Sequence, residues 1–449
     1  MPIPRIDAAL RLADTTREVL IGHGALRSAE AVLRRQFGDG PALIVADENT
    51  HAAAGREVIA GLEAAGRETA ALMIFPGTPI LHPDIEHVEA LEAHLRGSAA
   101  IPVAVGSGTI NDLTKLAAHR CGRPYMVVAT AASMDGYTAF AAAITHKGVK
   151  KIDDCAAPRA LIADLDVLAR APAAMTAAGY ADLLAKVVAG ADWILADALG
   201  VEALDVTSWS LIGPHLREWT QNPAGLAGGD GQALESLIEG LVMAGLAIQV
   251  ARSSRPASGS EHLFSHLWEM QGVMHAGQPA SHGFKVGLGT LAAAALYDMI
   301  LDRDLSRVDA KRAIGRWPSR DSVEREVLAA HPDPVQAASA VANSLAKHVD
   351  TGGLAARLAR LAKAWPELRR SLQAETLPAE ELRSLLSLAA CPITPEAIGV
   401  NRASLRRSYI LSRQIRSRYT VLDLAVECGL MDECLEALFS PGGFWSGSR

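Results

Sequence analysis

Residues 101–115, IPVAVGSGTINDLTK, decide the fold. The apolar run IPVAV reads as a buried strand, Gly106-Ser107-Gly108 as a tight turn, and INDLTKLAAHR as a helix with Asp112 in its first turn, where a carboxylate suits the helix dipole. A strand passing through glycines straight into a helix is the repeating unit of a parallel α/β sheet. Its turn lets a ligand approach the backbone and the free N–H groups of the helix start. The motif is incomplete as a nucleotide fingerprint. From Gly106 it reads GSGTIN, so the third glycine of the dinucleotide motif is missing, and no GK[ST] follows for a phosphate loop. A simple strand-to-helix turn accounts for the same residues, and both readings stay open at this point.

Working outward, the alternation continues. REVLIG (17–22), PALIVAD (41–47), ETAALMIF (68–75) and YMVVA (125–129) read as strands, and residues 53–66 and 83–97 as helices, the second opened by Pro83 and closed by Gly97. From about Pro172 the pattern changes to long Ala- and Leu-rich stretches with a period near 3.6, such as 236–254 and 287–301. The expected architecture is an α/β Rossmann-like domain with a parallel sheet over residues 1–171 and an all-α domain over 172–449. A small-molecule site is expected in the cleft between them.

A chain of 449 residues with 49% hydrophobic and 21% charged residues is a packed globule rather than a disordered chain. Its formal net charge of −7, with Lys and Arg scattered, excludes a nucleic-acid backbone as partner. Asp7, Asp14 and Glu18 interrupt the N-terminus where a signal peptide needs an apolar core, and no unbroken apolar run of membrane-spanning length occurs. The expectation is a cytoplasmic protein without membrane insertion. Five cysteines without a CxxC pair read as reduced thiols.

Further segments carry chemistry. TAASMDGYTAF (130–140) follows a strand and surrounds Asp135 with small residues, as a ligand loop or as an Asp-Gly turn. In GYADLLAK (179–186), Asp182 and Lys186 are four apart on one helical face, which by itself is an ion pair worth a few tenths of a kcal/mol. Four of the fourteen histidines, His262, His266, His275 and His282, fall within residues 260–291. His262 and His266 share a helical face. Glu261 precedes the first of them rather than following it, so the zinc-protease order fails. Packed core histidines would look the same one at a time; the cluster favours a metal or a catalytic group.

GSGTIND, TAASMDG, GYADLLAK, SGSEHLFSH and SHGFKVGLGT, in this order, together resemble the sn-glycerol-1-phosphate dehydrogenase family, which shares a superfamily with glycerol dehydrogenases, iron-containing alcohol dehydrogenases and dehydroquinate synthases. The resemblance runs from about residue 17 to 300. It implies that Asp182, His262 and His282 are ligands of one divalent metal ion (Zn²⁺, or Ni²⁺ or Fe²⁺), that His266 and Asp135 contact substrate, and that Asp182 touches both metal and substrate. It also implies an NAD or NADP site built from Asp47, Gly106, Ser107, Gly108, Thr109, Asp112, Thr130 and Ser133. The implied reaction is hydride transfer between dihydroxyacetone phosphate and sn-glycerol 1-phosphate in a homo-oligomer. A polyol or alcohol dehydrogenase of the same superfamily is the alternative. A dehydroquinate-synthase-like cyclase is disfavoured because those relatives place Glu where this chain has Asp182. Ala139 stands where relatives commonly carry Ser. Lys147, Lys150, Lys151 and Lys285 are candidates for the phosphate by charge alone, and residues beyond 302 are assigned no role.

Overall fold

The computed structural model describes residues 3–146, 149–275 and 277–446. The chain folds as two compact units. The first comprises the residues up to Leu183 together with Thr207–Ala257, the second Leu184–Val206 together with the chain from Ser258 onward.

The first unit is built on a six-stranded sheet of β1 (Glu18–Gly22), β2 (Ala42–Asp47), β3 (Thr69–Phe75), β4 (Ile101–Gly106), β5 (Met126–Ala129) and β8 (Ala160–Asp164), in the order β1-β8-β5-β4-β2-β3. Every pairing is parallel. β6 (Ala142–His146) and β7 (Val149–Asp153) form a separate antiparallel hairpin. β2, β4, β5 and β8 are buried along nearly their whole length, as parallel strands covered on both faces must be, which is why they are continuous apolar runs in sequence. The chain passes from β2 outward to β3, then returns to β4 on the other side of β2 and continues towards β5. The strand order therefore reverses at the β2/β4 pair, and the carboxyl ends at such a reversal are where open α/β sheets bind ligands.

The second unit is helical. It contains α3 (Lys186–Ala198), α5 (Ser260–Met270), α6 (His282–Leu301) and α7 (Val421–Glu427); α1 (Gly108–Arg120), α2 (Ala173–Leu184) and α4 (Gly231–Ala251) belong to the first, apart from the last residue of α2. The division at 171/172 read from the sequence thus differs from the one the fold adopts. The physical reason is that α4, although helical like its successors, packs against Pro4–Leu12 and β1. Helical periodicity marks the element but not which neighbour covers it. α4 and α6 are long and apolar enough to cross a membrane, yet 72% and 83% of their apolar windows are buried, as expected of core helices.

Candidate functional site

In the first unit the carboxyl ends of β2, β4 and β5 open onto a cavity of about 450 Å³ whose wall includes Asp47, Asn49, Thr50, Ser107, Thr109 and Thr130. Asp47 is held by local geometry: Oδ1 accepts from Thr50 N at 2.8 Å, and Thr50 Oγ1 in turn accepts from Asp47 N at 3.0 Å, a capping box over the turn Glu48–Thr50. Among the described residues Oδ2 has no hydrogen-bond partner, so one carboxylate oxygen remains to accept from a ligand hydroxyl. Gly106 ends β4 and accepts from Thr130 N at 3.1 Å. A Cβ there would come within 2.5 Å of Ile110, so the turn closes tightly only because the residue is glycine.

Gly108 opens α1 beneath Met134, and Ser133 is half-buried in the loop after β5. Asp112, expected to touch cofactor, accepts from Ala143 N at 3.2 Å and stands 3.6 Å from Lys115 Nζ. It ties α1 to the hairpin.

The loop after β5 is clamped rather than free. Lys115 Nζ donates to the carbonyls of Gly136 (2.9 Å) and Ala141 (3.1 Å), and Tyr137 Oη to that of Ala131 (2.7 Å). Asp135 N donates to Asp182 Oδ2 at 3.0 Å, which places these two predicted residues together. α2 approaches this closely because position 179 is glycine: a Cβ would meet Ala132 O at 2.0 Å. Asp182 is fully buried. Ala139, 6% exposed, packs with Ile248 and Ala257.

In the second unit three of the four clustered histidines converge. Ring centroids lie 5.3 Å apart for His262 and His282, 6.1 Å for His262 and His266, and 6.3 Å for His266 and His282. His282 reaches the others because it is the first residue of α6, capped by Ser281. Each imidazole has a carboxylate at Nδ1: Glu261 Oε1 stands 2.8 Å from His262, Glu269 Oε1 3.1 Å from His282 and Glu269 Oε2 3.4 Å from His266. A carboxylate facing Nδ1 accepts its proton and leaves the Nε2 lone pair for another electrophile, the orientation found behind metal-binding histidines. Burial pushes His266 down to about 3, Glu269 opposing and Arg416 and His262 adding to the shift, so this imidazole is neutral at physiological pH.

Glu261 and Glu269 are the residues that sequence reasoning missed. Glu261 sits in the first turn of α5, is completely buried, and accepts from Gly259 N at 2.6 Å through the same oxygen that faces His262. Burial pushes its pKa up to about 7. Successive helical side chains do not normally face each other, and only the backward curl onto the helix start brings Glu261 to His262. A Glu one residue after an uncapped helix start was the available signal. α5 is further positioned by Asp192 of α3, which is buried and accepts from Ser260 N (2.6 Å), Tyr297 Oη (2.7 Å) and Val421 N (2.8 Å). His275 is exposed on a short hairpin strand apart from the cluster. Of the phosphate candidates, Lys285 Nζ is 3.2 Å from Glu269 and Lys151 is exposed on β7, the strand that also carries Lys150; Lys147 lies outside the described residues.

A parallel sheet with a ligand cavity at its switch point, followed by helices carrying oriented histidines, defines a metal-dependent dehydrogenase of the iron-containing alcohol dehydrogenase type. The family model of iron-containing alcohol dehydrogenases matches residues 20–172. The fold is similar to that of glycerol dehydrogenase from Schizosaccharomyces pombe, with a TM-score of 0.59, 15% identity and coverage of 94% of this chain and 91% of that one. Among curated relatives, glycerol-1-phosphate dehydrogenase [NAD(P)+] of Halalkalibacterium halodurans is 36% identical over 57% of this chain and 64% of its own length. That of Bacillus velezensis is 34% identical over 65% of this chain and 73% of its own. The chain thus spans about two thirds of the length of these two relatives, and it belongs to the glycerol-1-phosphate dehydrogenase family.

Proposed function

We propose that this chain interconverts dihydroxyacetone phosphate and sn-glycerol 1-phosphate by hydride transfer with NAD(P), acting in the cytoplasm as a homo-oligomer. The observation that carries the reading is the pair His262 and His282, converging at 5.3 Å between ring centroids and each with Nδ1 against a carboxylate.

Asp182, His262 and His282 would hold one divalent ion. One carboxylate and two imidazoles suit Zn²⁺ and, nearly as well, Ni²⁺ or Fe²⁺. Bound there, the ion supplies Lewis-acid polarisation of the substrate carbonyl while the nicotinamide supplies or takes up the hydride. Glu261 and Glu269 fix the two imidazoles in the tautomer that binds metal. Asp47, Ser107, Thr109 and Thr130 bind the dinucleotide at the switch point, Asp47 Oδ2 accepting from the adenosine ribose, while Gly106 and Gly108 let its phosphates near the start of α1.

His266, neutral and with Nδ1 directed to Glu269, offers Nε2 as acceptor for the substrate hydroxyl in the oxidative direction. In the reductive direction a proton arrives through water beside the same nitrogen. Asp135 adds a second contact to the substrate. NADH and NADPH oxidation measured with dihydroxyacetone phosphate and with dihydroxyacetone, followed by chiral analysis of the product, tests the reading. Equal rates on the two substrates, or sn-glycerol 3-phosphate as product, would refute it.

A further inference from the structure

The glycine motif of residues 101–115 ends in Lys115, which the dinucleotide site does not use. Its side chain is completely buried on α1, the helix whose Thr109 lines the cavity at the carboxyl ends of the sheet. An ammonium inside a protein is costly unless its donors and its charge are met. Lys115 meets them on one loop: Nζ donates to Gly136 O at 2.9 Å and to Ala141 O at 3.1 Å, with Asp112 Oδ1 3.6 Å away.

Gly136 O is held twice. Asn111, one turn earlier on the same face of α1, also donates to it from Nδ2 at 3.4 Å and is itself fixed by Tyr125 Oη, which donates to Asn111 Oδ1 at 2.8 Å. At the other end of the same dipeptide, Asp135 N donates to Asp182 Oδ2 at 3.0 Å. The backbone of Asp135 and Gly136 is therefore gripped by α1 on one side and by α2 on the other. The second carbonyl belongs to a strained residue. Ala141 has a φ of 73°, in the left-handed region that disfavours a Cβ, and it stays there with its N–H donating to Cys155 O at 2.9 Å and its carbonyl accepting from Lys115. Such a conformation persists only where its surroundings hold it, and backbone strain of this kind gathers at functional loops.

We propose that Lys115 is a positioning residue of the reaction: it fixes the loop that carries Asp135 at a set distance from α1, and so holds the substrate in place relative to the dinucleotide bound at the start of that helix. Lys115 touches neither substrate nor cofactor and acts through Asp135. The inference rests on the substrate reading above and adds the residue that ties the substrate loop to the cofactor helix. Misplacing a reacting group by about 1 Å costs about 100-fold in rate, so a cation that sets the height of this loop has a large lever on turnover.

The test uses the full chain with its metal: wild type, Lys115→Met, Asp135→Asn and the double variant, assayed with dihydroxyacetone phosphate and NADH. Methionine keeps the bulk of the lysine stem without its donors. In Lys115→Met, kcat/KM for dihydroxyacetone phosphate should fall about 10- to 100-fold, while the dissociation constant of NADH, read from its fluorescence, stays within about threefold of wild type. Because both substitutions act on one contact, the double variant should lie no more than about threefold below the poorer single variant. A fall of under about threefold in Lys115→Met, fully multiplied losses in the double variant, or an equal loss of NADH affinity overturns the role, the last two being signs of general loosening. Hydrogen–deuterium exchange gives a reading independent of turnover: peptides covering residues 131–141 should exchange at least about tenfold faster in Lys115→Met, and those of β2 and β4 as in wild type. Unchanged exchange in the loop overturns the assignment. If Lys115→Met does not fold, Lys115→Gln, with two N–H donors on a shorter stem, takes its place in both measurements. A wild type unable to reduce dihydroxyacetone phosphate refutes the substrate reading instead, and exchange in the loop then still decides whether Lys115 holds it.

Discussion

Replacing Glu261 by Gln removes, above the pH of about 7 to which burial raises its carboxyl, a charge behind a proposed metal ligand while barely changing volume. Oε1 of the buried carboxylate faces His262 Nδ1 at 2.8 Å and accepts from Gly259 N at 2.6 Å. The amide oxygen of Gln can keep the Gly259 bond, so the start of α5 should hold and the stability cost should stay below about 1 kcal/mol, less than that of a neutral hydrogen bond left wholly unmade. The imidazole, however, loses the negative charge that raises its basicity as a ligand. Loss of such an outer carboxylate lowers metal affinity about 10- to 100-fold, or about 1.4 to 2.7 kcal/mol at 1.36 kcal/mol per factor of ten. Metal-free protein titrated with Zn²⁺ against a chromophoric chelator, with far-ultraviolet circular dichroism as the control for folding, measures the change. An affinity within threefold of wild type in a folded variant would show that Glu261 does not act through His262. Loss of folding in Glu261→Gln, with the Gly259 bond available, would refute the same geometry from the other side.

Three further outcomes are expected. His262→Ala should lose bound metal and activity together, whereas His266→Ala should retain metal by elemental analysis and lose turnover or substrate affinity; full occupancy in the first variant contradicts the ligand set. Gly179→Ala should destabilise by at least about 1–3 kcal/mol, since its Cβ would lie 2.0 Å from Ala132 O and force α2 off the loop that holds Asp135; an unchanged melting temperature argues against that packing. Burial pushes the Cys155 thiol up to about 12, so at pH 8 it carries almost no thiolate and should resist alkylation in the native protein while reacting after unfolding in urea. Native labelling as fast as that of the more accessible Cys121 would contradict it.

The strands β1 to β5 were legible because each is an apolar run between turn residues, and the glycine turn after β4 lies at the end of the sheet that opens onto the cavity of about 450 Å³. β8, which pairs with both β1 and β5 inside the sheet, escaped notice: ALIAD is short and follows a hairpin whose residues have no clear alternation. The histidine cluster was legible as a local density of one residue type. Its supporting carboxylates were not. Glu269 serves His282 across thirteen residues and an intervening hairpin, and no periodicity encodes that pairing. Asp112, in the ligand motif, also serves the scaffold through Ala143 N, a contact that no spacing in the motif announces.

Asp192 gives the molecule an order of assembly. Its carboxylate accepts from the first residue of α5, which carries His262, and from Val421, which lies 229 positions after Asp192 itself. While the protein is being synthesised, the first of these donors emerges long before the second, and during that interval the carboxylate lacks a donor it has in the finished fold. The helix bearing the histidines also packs against the turn Ser412–Gln414 and donates from Trp268 Nε1 to Ser408 Oγ at 2.9 Å, so it has all its final neighbours only when nearly the whole polypeptide is available. Capture of the metal is expected to follow completion of the chain rather than to guide its early folding.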